Sequence, residues 1–227
     1  MILYLNLFES FDPSIYYLYK FQFNWMFTLL PMMFFYNNYW MIPSRIEVLI
    51  NMFLSMIYKE FLLSMFYKKL IPNSLIFIGL MIYLMLMNFF SLFPYIFSTT
   101  SHLMLNLSIS LSIWFSFLIF SLYTYPLKFF SHLVPYNSPK LLMNFMVIIE
   151  IISYLIRPMT LAIRLSSNLI SGHLIIILLS NFMMNFINMI FFGLLIQDML
   201  LILEISMSLI QAYVYSILLS LYFKESN

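Results

Sequence analysis

Seven polar residues near the middle of the chain recur at a spacing that places them on one side of a helix. They follow one another three or four positions apart: Glu150, Ser153, Arg157, Thr160, Arg164, Ser167 and Ser171. Residues spaced in this way form a single stripe, here called the polar stripe, with Asn168 beside it. The other faces carry mainly Ile, Leu and Met. A charged stripe among apolar residues is costly in a membrane, and it marks an ion path or an ionic partner.

Arg164 is the central residue of this stripe. An arginine keeps its proton at physiological pH, so it holds a fixed positive charge and is a poor proton relay. No carboxylate lies one helical turn from Arg164 in the sequence. Two alternatives remain: a structural ion pair with Glu150 or Glu204, or a counter-charge for an acidic residue on another protein. Arg157 and Ser171, two turns away on either side, are candidates of second rank.

A later apolar segment carries a second set of polar residues at a spacing of seven. Gln197, Glu204 and Gln211 lie on one side of a helix if that segment is helical. In an antiparallel hairpin of two helices, the numbers of facing residues have a nearly constant sum. Arg164 with Gln211 gives 375 and His173 with Glu204 gives 377, so one register forms both pairs. The turn of this hairpin is then expected near residue 188.

Four further acidic or basic groups could move protons. Glu204 and His173 form a titratable pair, because imidazole titrates near physiological pH; the alternative is a buried histidine–carboxylate hydrogen bond. His173 follows Arg164 by nine positions, half a turn around the helix, so the two cannot face the same neighbour. Glu150 either belongs to an ion path or lies near the start of its helix, where the helix dipole favours a carboxylate. Asp198 is either a second acid of an access path or an interface residue.

Composition excludes most other classes of protein. Of the 227 residues 64% are hydrophobic and 8% are charged, which indicates an integral membrane protein built of helices. The chain has no cysteine, no glycine-rich phosphate loop and no cluster with metal-ligand spacing, so no cofactor and no metal are expected. A net charge of +2 gives no indication of a nucleic-acid partner.

The apolar segments predict an all-α protein with a single membrane domain over residues 1–227. Its predicted parts are an N-terminal segment with a first span at about 21–41 (1–44), an amphipathic helix on the membrane surface (45–70), a helical pair (75–123), a loop (124–140), and a closing antiparallel helix hairpin (141–223). The two hairpin segments would be about 60 and 54 Å long, against about 30 Å of hydrocarbon. Each therefore breaks in two or lies strongly tilted; Pro158 and Gly172 permit a kink without requiring a break.

The basic residues favour one orientation. If the chain crosses five times, the basic clusters all fall on one side, and the N-terminus and the uncharged 98–102 turn fall on the other. His102 and His132 lie in predicted loops and are expected to be solvated. No internal repeat is visible, which counts against transporters built from inverted repeats.

Several longer motifs resemble those of a known membrane family. They are FDPS near the start, IPSR at 42–45, FPYIFSTTSHL at 93–103, HLVPYNSP at 132–139, FMVIIEIISYLIRP at 145–158, RLSSNLISGH at 164–173 and LEISMSLIQAYVYSILLSLY at 203–222. Together they resemble subunit a of mitochondrial F-type ATP synthases, in its arthropod form. NSP stands where that family usually has GTP, and RLSSN where it has RLTAN, but neither change touches a charged position.

The resemblance implies a role for each candidate residue. Arg164 would be the family's essential arginine, facing the carboxylates of a rotating c-ring, with Asn168 and Gln211 as its polar neighbours. His173 and Glu204 would line a half-channel from the intermembrane space, and Glu150 a half-channel towards the matrix.

The implied function is that of a proton-conducting stator subunit, not an enzyme by itself, in the mitochondrial inner membrane. The implied partners are the c-ring, the peripheral stalk, other membrane-sector subunits and the lipid bilayer. The N-terminus would face the intermembrane space and the C-terminus the matrix. Two alternatives remain from the residues alone: a transporter or channel that works by itself, and a structural membrane subunit of a respiratory complex.

Overall fold

A computed structural model of the chain describes Phe8 and residues 11–13, 23–33, 42–64, 74–93, 96–124, 126–134, 139–185 and 190–225. Within these ranges the regular structure is entirely helical, as predicted. The α-helices of these ranges are α1 (Leu30–Met33), α2 (Arg45–Ser64), α3 (Ser74–Ser91), α4 (Leu103–Thr124), α5 (Pro126–His132), α6 (Lys140–Asn185) and α7 (Ile190–Glu225). Two short 3-10 helices, Phe23–Leu29 and Thr99–Ser101, complete the regular structure there.

Four of the described helices, α3, α4, α6 and α7, are long and apolar enough to cross a membrane. The first span, expected at about 21–41, lies partly outside the described residues, because 34–41 are not among them. Its described part, Phe23–Leu29 with α1, is about 20 Å long and packs on α3, where the Tyr83 hydroxyl donates to the Thr28 carbonyl oxygen at 3.3 Å. A fifth crossing therefore stays a prediction.

The amphipathic helix α2 begins where the sequence places it. The Ser44 N–H donates to Glu47 Oε2 at 2.7 Å and the Glu47 N–H donates to Ser44 Oγ at 3.4 Å, a reciprocal pair that caps the first turn. Ile57 and Phe61 are buried in the core. A second apolar face is exposed and includes Ile46, Leu49, Phe53, Met56 and Leu63. The predicted continuation over 65–70 lies outside the described residues.

The helical pair differs from the prediction at its connection. α3 ends at Ser91, seven residues before the predicted turn at 98–102 begins. Pro94 explains the early end, because the residue before a proline disfavours the helical conformation.

The predicted loop at 124–140 is wrong in part, since α5 occupies Pro126–His132. Proline suits the first helical position, where its missing N–H costs nothing.

The two closing helices are continuous, which rules out a break in either of them. α6 runs for 46 residues through Pro158, and α7 for 36 residues. At 1.5 Å per residue they measure about 69 and 54 Å. Both exceed the thickness of the hydrocarbon core, about 30 Å, so in a bilayer they must tilt strongly or extend beyond it.

The core of the described helices lies around α3, which packs most extensively on α7 and also contacts α2. Phe77, Phe117 and Phe223 join α3, α4 and α7 through ring contacts of 5.0 to 5.9 Å. Small polar residues fill the contacts between helices: Ser74, Ser91, Ser110, Ser121, Ser166, Ser208, Ser216 and Ser220 are all buried. Their small volume lets neighbouring helices approach closely, as is usual in membrane proteins.

Candidate functional site

Close contacts between α6 and α7 fix how the two helices face each other. A side chain on Gly172 would collide with the Glu204 carboxyl group, and one on Gly193 would collide with Met183. The residue numbers of both pairs add up to 376, so the helices run antiparallel in a single register. This value lies between the two sums expected from the polar residues, and the predicted register is confirmed.

A cavity of about 210 Å³ lies where α6, α7 and the end of α3 meet. Its lining is mostly apolar, with Leu and Ile side chains of α6, Leu and Met side chains of α7, and Leu92 just after α3. The polar side chains of its wall are Asn88, Asn168, Ser171, Glu204, Ser208 and Gln211. A cavity of this size can hold several water molecules, and its polar groups can bind them. The structure therefore brings together four of the predicted site residues: Asn168, Ser171, Glu204 and Gln211.

Glu204 is the acidic residue of the cavity wall. Its side chain is half-buried, and its Oε2 atom is buried without a hydrogen-bond partner among the described residues. A buried carboxylate oxygen without a partner is costly in an apolar setting. Glu204 is therefore suited to bind a proton, or to accept a hydrogen bond from water in the cavity.

Asn88 is a site residue that the sequence analysis missed. It is 1% exposed, and its Nδ2 donates to the Ser208 carbonyl oxygen of α7 at 3.4 Å. Its Oδ1 atom is buried with no partner in the described part of the chain, and the residue lines the cavity. The sequence does carry a signal for Asn88, because it is an amide in an otherwise apolar span and polar residues inside membranes often mark functional sites.

His173 lies beside this cavity and not in its wall. Its ring packs edge-on against Phe11, with 6.2 Å between the ring centroids. The Nε2 atom is buried, and no described residue accepts or donates a hydrogen bond there. The residue that contacts Glu204 is Gly172, the neighbour of His173 in the chain, and no hydrogen bond between His173 Nε2 and Glu204 Oε2 is formed. The alternative of a buried hydrogen bond between His173 and Glu204 is therefore wrong for this structure.

Arg164 lies on the exposed face of α6, and this face meets the cavity at Ser171, which is exposed and also lines the cavity wall. The buried face of that stretch carries Leu161, Ala162, Leu165, Ser166 and Leu169. The exposed face carries Met159, Thr160, Ile163, Arg164, Ser167 and Ser171. No carboxylate of the described residues forms an ion pair with Arg164. The alternative of an ion pair with Glu150 or Glu204 is therefore wrong for this structure.

Arg157, seven residues earlier on the polar stripe, is held differently. Its guanidinium lies over the Tyr154 ring at 4.8 Å and over the Tyr222 ring of α7 at 5.1 Å. Such cation–π contacts stabilise a guanidinium that is removed from water. This geometry gives Arg157 a structural contact between α6 and the end of α7.

Glu150 and Asp198 lie away from the cavity. Glu150 is half-exposed on α6, and it precedes Arg164 by 14 residues, about 21 Å along the helix. Because α6 already begins at Lys140, Glu150 is ten residues inside it. Stabilisation by the helix dipole is limited to the first turn, so that explanation of Glu150 is wrong. Asp198 is exposed on α7.

His102, in the turn before α4, was expected to be solvated, and this expectation is wrong. The His102 ring lies 5.2 Å from Trp25 and 5.1 Å from Phe97, and its Nε2 atom is buried without a partner among the described residues. His102 is therefore packed against aromatic rings and not solvated. The side chain of His132 lies outside the described part of the chain.

The site as a whole has three parts along α6. The half-exposed Glu150 lies towards the N-terminal end of α6, and the fixed positive charge of Arg164 follows on the exposed face. The polar cavity with the second carboxylate, Glu204, lies further towards the C-terminal end. A carboxyl group therefore lies on each side of Arg164 along the length of α6, and the guanidinium between them keeps its proton. Within the described ranges, no group of three His, Asp or Glu side chains could hold a metal ion.

Comparison with known proteins identifies the family. The family model "ATP synthase A chain" matches residues 21–224. The ATP synthase subunit a of Apis mellifera ligustica is 54% identical over 227 residues, which cover 100% of this chain and 99% of that protein. Those of Drosophila melanogaster and Locusta migratoria are each 43% identical over 176 residues, 78% of this chain and 78% of theirs. The chain therefore belongs to the ATP synthase A chain family, as a membrane-sector subunit of an ATP synthase.

Proposed function

We propose that this chain conducts protons through two offset half-channels beside a rotating c-ring, as a stator subunit of ATP synthase in the mitochondrial inner membrane. The observation that carries this proposal is the position of Arg164 on an exposed helix face, between a polar cavity and a distant carboxylate. The chain works as a component of the complex and does not catalyse ATP synthesis by itself.

Proton uptake is assigned to the cavity between α6 and α7. Glu204 has an unpartnered carboxylate oxygen there, and His173, which follows the cavity residue Gly172 in the chain, has an unpartnered ring nitrogen. Asn88, Asn168 and Gln211 line the same cavity with amides that can bind water. A proton arriving from the intermembrane space would pass these groups and neutralise a carboxylate on the ring.

Arg164 would face that ring carboxylate across the exposed side of α6. An ionised carboxylate is attracted by the fixed charge, whereas a protonated carboxyl group can move into lipid at low cost. Because the guanidinium does not give up its proton, it also prevents protons from passing directly between the two half-channels. Directional rotation follows from this combination of attraction and barrier.

Proton release is assigned to Glu150. This residue is half-exposed and lies about 21 Å along α6 from Arg164, so the proposed release site is separated from Arg164 along the helix. Each proton that crosses 100 mV releases about 2.3 kcal/mol, and several protons are therefore needed for each ATP.

The orientation proposed for the chain follows from its basic residues. The N-terminus would face the intermembrane space and the C-terminus, with Lys224, the matrix. α2 would then lie on the matrix surface of the bilayer. Its partners there would include lipid, the peripheral stalk and other membrane-sector subunits.

Replacement of Glu204 tests the assignment of proton uptake. In ATP synthase reconstituted into liposomes, Glu204→Gln should slow passive and ATP-driven proton flux by about tenfold or more, within the usual effect of losing a proton-transfer group. Glu60→Gln on the exposed part of α2 is the matched control and should leave the flux unchanged. Normal flux in Glu204→Gln would remove the cavity from the proton path and contradict the proposal.

A further inference from the structure

The three glycines of the chain differ in what surrounds them. A Cβ atom on Gly172 would lie 2.5 Å from Glu204 Oε1 and 2.8 Å from Glu204 Cδ. A Cβ atom on Gly193 would collide with the side chain of Met183, whereas one on Gly79 would meet nothing within 4 Å. Of these positions, Gly172 is the one where the absent side chain leaves room for a carboxyl group.

The space beside Gly172 is part of the cavity described above. Gly172 and Glu204 both line it, together with Asn168 and Gln211. The carboxyl group lies against the backbone of α6, at a position that any other residue type in place of Gly172 would occupy. A glycine inside a helix weakens that helix, and only three occur in 227 residues. Its presence here therefore has a packing reason, which is the carboxyl group of Glu204.

We propose that Gly172 is a positioning residue that sets where the Glu204 carboxylate lies in the cavity. The inference rests on the proposed function, because it assigns to Gly172 an effect on proton uptake through Glu204. A Cβ atom at residue 172 displaces the far end of the Glu204 side chain, which has rotatable bonds and can turn away. The helix pair then stays packed, but the carboxylate leaves its place beside residue 172 in the cavity wall.

The first experiment compares alanine at the three glycines in ATP synthase reconstituted into liposomes. Gly172→Ala should lower the proton flux per assembled complex by about tenfold, a size typical of coupling between side chains in contact. The pH dependence of the flux should also shift, since the carboxylate enters a new environment. Gly193→Ala should reduce the amount of assembled complex without changing the flux per complex, and Gly79→Ala should change neither.

The second experiment asks whether the effect passes through Glu204. Aspartate is one methylene shorter than glutamate, so Glu204→Asp removes the two atoms that would lie nearest a Cβ atom at residue 172, Oε1 and Cδ, and leaves the carbon at the Cγ position, 3.1 Å away, as the near contact. In that background, adding Gly172→Ala should cause no further loss of flux, and the double variant should equal Glu204→Asp alone. Should Gly172→Ala alone fail to assemble, the proposal requires that Glu204→Asp restores assembly in the double variant.

Distinct outcomes overturn the two proposals. Normal flux and pH dependence in Gly172→Ala, independent effects of the two changes, or no restored assembly in the double variant would each overturn the role of Gly172. If Gly172→Ala gave any of these results while Glu204→Gln lowered the proton flux, the proposed function would still stand. Normal flux in Glu204→Gln would instead overturn the proposed function itself.

Discussion

Arg157 and Arg164 are the same residue type at equivalent positions of one helix, yet they have opposite surroundings. They lie seven residues apart on the polar stripe, about two turns of α6. Arg157 is half-buried and covered by the rings of Tyr154 and Tyr222. Arg164 is exposed, and the described residues provide it with neither a carboxylate nor an aromatic ring.

The chain stabilises the charge of Arg157 with its own residues, but not the charge of Arg164. A cation at membrane depth is costly unless another group stabilises it. The chain supplies that group for Arg157 through contacts between α6 and α7. For Arg164 it supplies an exposed face with Met159 and Ile163, which is suited to contact another apolar helix. The comparison therefore separates a structural arginine from one that requires a partner chain.

The largest effect is expected for Arg164→Gln. Glutamine removes the fixed charge and keeps a polar side chain of moderate length, so proton-driven ATP synthesis should be abolished. Assembly should be nearly normal, because Arg164 has no partner in the described part of the chain. Synthesis driven by an imposed proton gradient, measured beside the yield of intact complex, checks both points. Normal coupled synthesis in this variant would contradict the role of Arg164.

A smaller effect of another kind is expected for Arg157→Gln. Losing both cation–π contacts should destabilise the packing of α6 on α7 by about 1–2 kcal/mol. The yield and heat resistance of the complex should fall, while proton flux per assembled complex stays near normal. If this variant instead assembled fully and lost its flux, the two arginines would share one function and the comparison would fail.

The smallest effect is expected at Tyr222, the aromatic partner on α7. Tyr222→Leu should destabilise the complex by about 0.5–1 kcal/mol, whereas Tyr222→Phe keeps the ring and should have little effect. Thermal inactivation of the complex measures both variants. In the double variant with Arg157→Gln, the loss from Tyr222→Leu should largely disappear, since the contact is already absent. Fully additive losses would show that the ring and the guanidinium do not interact.

Much of the fold and of the site could be predicted from helical periodicity. Steps of three and four placed Arg164 and Ser171 on one face, and the constant sum of residue numbers predicted how α6 meets α7. Both arguments use distances along a regular helix, which the sequence contains directly. The same periodicity could not separate Arg157 from Arg164, because Tyr222 is far away in the sequence and reaches Arg157 only through the folded hairpin.

Contacts between distant segments were the part that could not be predicted. His102 is packed against Trp25, and His173 against Phe11, although the sequence separation gives no indication of either contact. Asn88 joins the cavity because α3 packs on α7, which no pattern within α3 shows. The continuity of α6 also depended on packing, since its length alone permitted a break as well as a tilt.

The most direct test of the account asks what the exposed face of α6 touches. The chain has no cysteine, so a single introduced cysteine reports one position without a background signal. In the complete ATP synthase, Ser167→Cys and Ser171→Cys should each form a disulfide with a cysteine placed beside the carboxylate of a ring subunit. Ser116→Cys, exposed on α4, is the matched control and should form none. Crosslinking from Ser116 but not from Ser167 or Ser171 would contradict the claim that Arg164 faces the ring.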